Sequence, residues 1–363
     1  MIVFGDENII LLNEVLSPYC DYHVFSGRLL KNIDLLNQEC ELLFTRSQTK
    51  IDEKLLCSTN VKLVATATSG TDHFDEDYLK SVNIPFHDSK GCNANSVAEY
   101  VIYALLKWSL EKNIELDKTS IGIIGFGCIG KIVASYCCQL GLKIYVNDPP
   151  LKDSQFLFPD YVQYAELDYL IENVQILTNH VPFCSKGKHP TFQVLNSSNL
   201  INFRDNGLII HTSRGNVIDE KVLHYLHDFK NAELVIDVWN DEPNFDVNLA
   251  DKCLLSTPHI AGYSQNGKLN GTAVLINLFE KYSNITVDKS LVLNELNKIQ
   301  PCSVNDFISN KSLFEHLSKF RKIYEDSNKF KELLTLKSKD KTYEFDKLRK
   351  NYPLRYESLR PIT

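Results

Sequence analysis

The 363-residue sequence has no long apolar run, no excess of basic residues, no internal repeat and no low-complexity stretch. Each absence excludes something. A transmembrane helix needs roughly 20 consecutive apolar residues, and none is found, so no membrane partner is expected. A formal net charge of −7 argues against nucleic acid as the main partner, because phosphate backbones are bound by basic faces. Ten cysteines are present, yet none forms a C-x-x-C pair, and Cys137 and Cys138 are simply adjacent. Neither a redox pair nor a thiolate metal site is suggested. The opening residues, Met1-Ile-Val-Phe-Gly-Asp6-Glu7, lack the basic segment and apolar core of a secretion signal. Reduced thiols, a cytoplasmic location and no metal are therefore expected.

What is there reads as an ordinary globular chain, with 44% hydrophobic and 23% charged residues. The length implies two or three domains. Charge is uneven: residues 281–363 hold 17 Lys and Arg against 11 Asp and Glu, so a basic tail follows an acidic body.

Short apolar runs recur at Ile2–Phe4, Glu41–Thr45, Lys62–Ala67, Ser120–Gly125, Lys143–Asn147, Gln175–Asn179, Gly207–Thr212, Glu233–Val238 and Cys253–Ser256. Helical periodicity fills stretches between them, as at Ala98–Lys107, Ile129–Leu140 and Asp219–Leu226. Strands alternating with helices imply parallel sheets covered on both faces. The rhythm predicts one α/β unit over residues 1–95 and a second over 96–261. It stops near Tyr282, and the polar, Lys-rich remainder, with an amphipathic stretch at Leu313–Tyr324, predicts a smaller third domain over 283–363.

The second unit opens on Ile121-Gly-Ile-Ile-Gly125-Phe-Gly127-Cys128-Ile129-Gly130, a G-x-G-x-x-G pattern. Glycines in loops are common, so the context carries the weight. The pattern follows an apolar strand, opens a helical stretch, and is followed by a second strand ending in Asn147-Asp148. Gly125 makes the tight turn, Gly127 lets backbone approach a pyrophosphate, and Gly130 lets helix pack on strand. The anion then sits on N–H groups at the helix start. Asp148 is placed for ribose hydroxyls and would repel a 2′-phosphate, which selects NAD over NADP.

Three polar groups follow later strands: Arg214 in His211-Thr-Ser-Arg214-Gly215, Glu242 in Asp237-Val-Trp-Asn-Asp-Glu242-Pro243, and His259 in Thr257-Pro258-His259-Ile-Ala-Gly262-Tyr263. Oxidation of a 2-hydroxy acid needs a base near neutrality for the hydroxyl proton, which suits histidine. A carboxylate beside it orients the ring and stabilises the imidazolium. The substrate carboxylate calls for the forked, permanently charged guanidinium. Each residue also has a plainer reading: a loop histidine, a helix-capping arginine, a solvated turn glutamate.

These blocks, taken in order, resemble those of the D-isomer-specific 2-hydroxyacid dehydrogenases. The resemblance implies two doubly wound α/β domains, a Rossmann NAD domain and a flavodoxin-like substrate domain. The substrate domain would be completed by residues 262–282, with hinges near 96 and 261. Arg214, Glu242 and His259 match the family's catalytic set. Gly125, Gly127, Cys128, Ile129, Gly130, Asp148, Val181, Asp237 and Gly262 match cofactor positions, with Asp237 beside the nicotinamide. Arg46, Ser47, Thr68 and Tyr263 match substrate positions.

Further stretches, among them Thr66-Ala-Thr68-Ser-Gly70-Thr71-Asp72-His73 and Glu344-Phe345-Asp346-Lys347-Leu348-Arg349-Lys350-Asn351-Tyr352, resemble one branch of this family. That branch acts on a phosphorylated four-carbon 2-hydroxy acid in vitamin B6 synthesis and carries a C-terminal α+β domain that forms a homodimer. Two departures stand out. Val181 occupies a position where the branch has threonine, which removes one side-chain contact to cofactor, and Lys90 stands where it has proline. The basic tail raises the further expectation that Arg349 or Lys350 reaches a partner subunit's substrate site. Two alternatives stay open at this level: another D-2-hydroxyacid substrate such as 3-phosphoglycerate, and an NAD-sensing binding protein without turnover.

Overall fold

A computed structural model of the chain describes residues 1–361. It divides into two units: Met1–Asn93 with Ser264–Gln300, and Ala94–Tyr263 with Pro301 onward.

The first unit is built on a five-stranded parallel sheet of β1 (Ile2–Asp6), β2 (Asp21–Phe25), β3 (Leu42–Thr45), β4 (Leu63–Thr66) and β5 (Phe86–Asp88), in the order β2-β1-β3-β4-β5. This is the doubly wound order in which the chain reverses direction across the sheet between β1 and β3. β3 and β4 are buried along their whole length, so both faces must be apolar. Alternation then divides their side chains between two cores. Leu42, Phe44, Leu63 and Ala65 pack with Leu269, Leu275, Ile276 and Phe279, while Leu43 and Val64 pack with Leu35, Leu55 and Leu79 on the other side.

The first of those cores is covered by the helix Gln265–Ser283. Ser264 begins it by accepting the Gly267 N–H, and Asn284, left-handed at φ 58°, ends it. The helix lies so close to the sheet that a Cβ on Gly271 would fall 2.2 Å from the Ala67 carbonyl oxygen.

The second unit carries seven parallel strands: β6 (Ser120–Ile124), β7 (Lys143–Asn147), β8 (Val162–Tyr164), β9 (Ile176–Asn179), β10 (Leu208–His211), β11 (Glu233–Ile236) and β12 (Leu255–Ser256). Their order is β12-β11-β10-β9-β6-β7-β8, the Rossmann arrangement, with its switch point between β6 and β9. The helix Ala94–Lys112 is buried over most of its length and joins Ile121, Ile123, Ile144, Val146 and Ile210 in one core. Leu177, Ile209, Leu234 and Ile236 form the other with Leu223 and Leu226.

Residues from Pro301 on are helical, at Asn310–Arg321, Ile323–Glu332 and Ser338–Lys350. Among the described residues their β pairing is one isolated bridge, Cys302 to Leu359. Lys322, left-handed at φ 49°, divides the amphipathic stretch expected over Leu313–Tyr324 into two helices. Leu313 and Leu317 enter the first core of this unit, and Phe330 and Phe345 the second. Arg321, fully buried, donates to Ser96 Oγ at 2.8 Å and the Ala261 carbonyl at 3.0 Å and faces Glu99 at 3.5 Å. A buried charge survives only with such partners.

Three strands do not stand out as apolar runs: β2, β5 and β8. All three are sheet edges, short or partly exposed, so their sequence need not be apolar on both faces. Gly271→Ala is expected to lower stability by roughly 1–3 kcal/mol through overpacking against Ala67. A thermal melt checks this, and NADH affinity should be unchanged because the Gly-rich turn belongs to the other unit.

Candidate active site

The Gly-rich turn leaves β6 at the switch point. Gly125 has φ +89°, and a Cβ there would meet Val181 Cγ1 at 2.9 Å and the His180 carbonyl carbon at 3.0 Å. The turn after β9 therefore presses on the turn after β6, and only glycine fits both the conformation and the space. A Cβ on Gly130 would lie 2.1 Å from the Gly125 oxygen, so helix and turn are in contact there. Gly127 differs, since its Cβ would meet nothing within 4 Å. That open side, at the start of the helix Cys128–Gln139, is where backbone can approach a pyrophosphate on the first N–H groups. Asp148, at the end of β7, accepts the Phe126 N–H at 2.7 Å with one oxygen and the Leu151 N–H at 3.0 Å with the other. The carboxylate thus locks the turn while remaining beside it. The residues fit a dinucleotide.

Glu242 and His259 come together. Glu242 Oε2 lies 2.8 Å from His259 Nδ1, and its Oε1 accepts the Trp239 N–H at 2.9 Å. Burial pushes the Glu242 carboxyl up, but the charge and hydrogen bond of His259, the Trp239 N–H and the charge of Arg349 hold it below the usual carboxylate range. An ionised carboxylate can only accept, so Nδ1 carries a proton and Nε2 is left for a substrate.

His259 has φ 57°, rare for a residue with a side chain. Asp237 imposes it. The Asp237 carboxylate accepts the Thr257 hydroxyl at 2.6 Å and the Ile260 and Ala261 N–H groups at 2.7 and 3.0 Å. Its carbonyl accepts the His259 N–H at 2.7 Å. Fully buried, this carboxyl is raised above its ordinary range by desolvation, against the pull of those bonds. The Tyr100 hydroxyl, 2.7 Å from Thr257 Oγ1, extends the network.

Arg214 sits between β10 and a short 3-10 turn, with Nη1 on the Ser213 carbonyl at 3.0 Å. The following Gly215 packs so tightly on Trp239 that a Cβ would lie 2.1 Å from its carbonyl oxygen, which ties the arginine turn to the turn that bears Glu242. Beneath it, His211 Nε2 donates to the Gly215 carbonyl at 3.3 Å, and Nδ1 accepts from Asn179 at 3.1 Å. Both ring nitrogens are used by a neutral imidazole, and burial pushes this histidine down to about 4 and His180 to about 3.

Arg46, Ser47 and Thr68 lie in the first unit, at the C-terminal ends of β3 and β4, where open α/β sheets bind ligands. Arg46 Nη1 reaches the Asn8 carbonyl at 3.0 Å across the switch point, Ser47 is exposed, and Thr68 Oγ1 lies 2.8 Å from Thr66 Oγ1. Lys90 is exposed. Gly262 and Tyr263 continue the His259 turn, and Tyr263 meets Tyr352 edge-on at 5.6 Å.

Several contributors were not legible in the motifs. Lys268, in the first turn of the helix Gln265–Ser283, is half-buried, and burial and then the charge of Arg46 depress its ammonium. Thr257 and Tyr100 are ordinary in sequence and gain meaning only through Asp237. Arg349 lies over the Tyr263 ring of its own chain, its guanidinium carbon 5.9 Å from the centroid, while Lys350 is exposed. Through Arg349 the basic tail meets the His259 turn of its own chain, because the helix Ser338–Lys350 docks on the core beneath β11 through Phe345.

A Rossmann sheet with an open glycine turn after β6, and a histidine–glutamate pair in the turns after β11 and β12, define a nicotinamide-dependent oxidoreductase. Residues 104–261 match the family described as D-isomer specific 2-hydroxyacid dehydrogenase, NAD binding domain. Solved structures share the fold. D-lactate dehydrogenase from Aquifex aeolicus, complexed with NAD and lactic acid, superposes with TM-score 0.61 at 21% identity, over 81% of this chain and 97% of that one. NAD-dependent formate dehydrogenase from Staphylococcus aureus gives 0.63 at 18%, over 78% and 96%. Sequence relatives go further. Erythronate-4-phosphate dehydrogenase of Hahella chejuensis is 35% identical over 98% of this chain and 92% of its own length. That of Bacteroides thetaiotaomicron is 31% identical over 98% and 97%. The chain belongs to the D-isomer-specific 2-hydroxyacid dehydrogenases, in their erythronate-4-phosphate dehydrogenase branch. It is an NAD-dependent oxidoreductase, and no described helix is long and apolar enough to cross a membrane.

His211 gives a stability prediction with a defined sign. Its folded pKa is depressed below the usual 6.5, so its contribution is complete above pH 6.5 and lost as pH falls toward about 4. The Tm advantage of wild type over His211→Asn should therefore narrow between pH 7 and pH 4.5, as calorimetry at the two pH values would read.

Proposed function

We propose that the protein oxidises 4-phospho-D-erythronate at C2 to (R)-3-hydroxy-2-oxo-4-phosphooxybutanoate, with NAD as hydride acceptor, in the synthesis of pyridoxal phosphate. The observation that carries the chemistry is the 2.8 Å contact of Glu242 with His259 Nδ1, which leaves Nε2 as the base. The substrate follows from near full-length similarity to relatives named for it.

NAD would supply the acceptor for the C2 hydride. Gly125, Gly127, Cys128, Ile129 and Gly130 would hold its pyrophosphate and Asp148 its adenine ribose, with Val181, Asp237 and Gly262 as further cofactor contacts, Asp237 by the nicotinamide. His259 Nε2 takes the C2 hydroxyl proton, and the resulting imidazolium is stabilised by Glu242. Arg214 holds the substrate carboxylate in a two-pronged grip. Arg46, Ser47, Thr68 and Tyr263 contact the rest of the substrate. The Arg46 charge that helps depress the half-buried Lys268 ammonium supports an anionic end there, because an anion would relieve the repulsion between the two cations.

The same reading includes a cytoplasmic homodimer formed through the C-terminal region. Large apolar side chains left exposed beyond Tyr282 support it, notably Ile308 at 99%, Tyr343 at 67% and Leu354 at 61%.

The test is NADH formation with 4-phospho-D-erythronate, 3-phosphoglycerate and D-lactate compared side by side. The first should be strongly preferred, and turnover of D-lactate alone would sink the phosphorylated substrate. His259→Ala should abolish turnover while NADH still binds, which separates an enzyme from a sensor. Glu242→Gln should lower kcat by roughly 10²–10⁴-fold, since it removes the charge behind the base. Light scattering should return twice the chain mass, reduced toward the monomer by Ile308→Asp.

A further inference from the structure

Arg349, in the last turn of the helix Ser338–Lys350, brings a cation to the catalytic turn from outside every motif. Its guanidinium is packed between two rings, 5.9 Å from the centroid of Tyr263 and 6.0 Å from that of Phe345. Its Nε is buried and has no hydrogen-bond partner among the described residues. Its charge helps hold down Glu242, and among the described residues its polar contact is with the Tyr263 side chain, which leaves Nε unused. The segment behind it is fixed: Tyr352 Oη donates to Asp326 at 2.9 Å, and Arg355 pairs with the same carboxylate at 3.2 Å.

A guanidinium with a rigid seat and an unused buried donor is unfinished as a structural element, because an unmet buried N–H is costly until an acceptor arrives. The substrate proposed above carries two anions. Arg214 answers the carboxylate, and the phosphate, with three oxygens and nearly two charges, has room for a further fork besides the Arg46 and Lys268 cations proposed above. We infer that Arg349 binds the substrate phosphate from within the same subunit, its plane set by Tyr263 and Phe345, and so determines selectivity for the phosphorylated acid. This rests on the function proposed above. No bond is made or broken by it. The site it serves takes a phosphomonoester dianion.

Arg349→Ala and Arg349→Lys are compared with wild type in steady-state oxidation of 4-phospho-D-erythronate, with NADH affinity and Tm as folding controls. Loss of a charge-assisted pair should raise KM by roughly 10- to 100-fold in Arg349→Ala, with kcat within about threefold. Arg349→Lys, which keeps the charge but not the fork, should recover part of the loss. Inorganic phosphate should compete with substrate in wild type and much more weakly in Arg349→Ala. An unchanged KM would overturn the inference. So would a loss carried by kcat with a displaced pH profile, because that would mean Arg349 acts on Glu242 alone. If wild type does not oxidise 4-phospho-D-erythronate, the functional reading has failed instead. Arg349 is then judged by phosphate's thermal stabilisation of wild type and Arg349→Ala, and equal stabilisation would refute it.

Discussion

The buried carboxylate of Asp237 is the constraint on which the rest of the site depends. It ends β11 and gathers the chain that follows β12: the Thr257 hydroxyl and the Ile260 and Ala261 N–H groups all donate to it, and the His259 N–H donates to its carbonyl. Burying a carboxylate is unfavourable unless its lone pairs are met, and here three donors meet them. The consequence is a left-handed histidine whose ring is turned toward Glu242. Because Thr257 donates to Asp237, Tyr100 must be the donor to Thr257, so the long helix Ala94–Lys112 is tied to the same point. Geometry at His259 is thus secured by groups on neighbouring strands and helices.

Both units place their candidate ligand groups at the carboxyl ends of parallel strands. In the second unit the switch point between β6 and β9 supplies the glycine turn, pressed against His180 and Val181. In the first unit the switch point between β1 and β3 supplies Arg46, anchored on the Asn8 carbonyl. Strand ends release backbone from the ladder, and parallel connections bring turns from distant sequence into one row. Val181 is compatible with this arrangement, since its methyl group fills the space that Gly125 leaves free.

The C-terminal helices are part of the second unit's fabric. Leu313 and Leu317 complete one of its cores, Phe330 and Phe345 the other, and Arg321 is sunk between Ser96, Ala261 and Glu99. Glu99 also accepts the Ser358 and Leu359 N–H groups, so the end of the chain is held by the same buried charge. The tail and the His259 turn therefore share supports, and that is how Arg349 comes to lie over Tyr263.

By itself the sequence determined the central strands, the doubly wound class and the dinucleotide turn. These are local: a strand covered on both faces must be apolar throughout, and Gly125–Gly130 with Asp148 is a pattern of short-range sterics. It also set Arg214, Glu242 and His259 in turns after strands, though only resemblance chose that histidine from ten. The edge strands β2, β5 and β8 escaped, because an edge has no need of apolar residues on both faces. Only the tertiary structure decided that Glu242 meets His259 Nδ1, that Asp237 holds the loop between them, that the Arg46 charge acts on Lys268, and that Arg349 lies over Tyr263 of its own chain. Each of these joins residues far apart in sequence. No periodicity records such a meeting, because it is produced by which strands pair and which helix docks on which core.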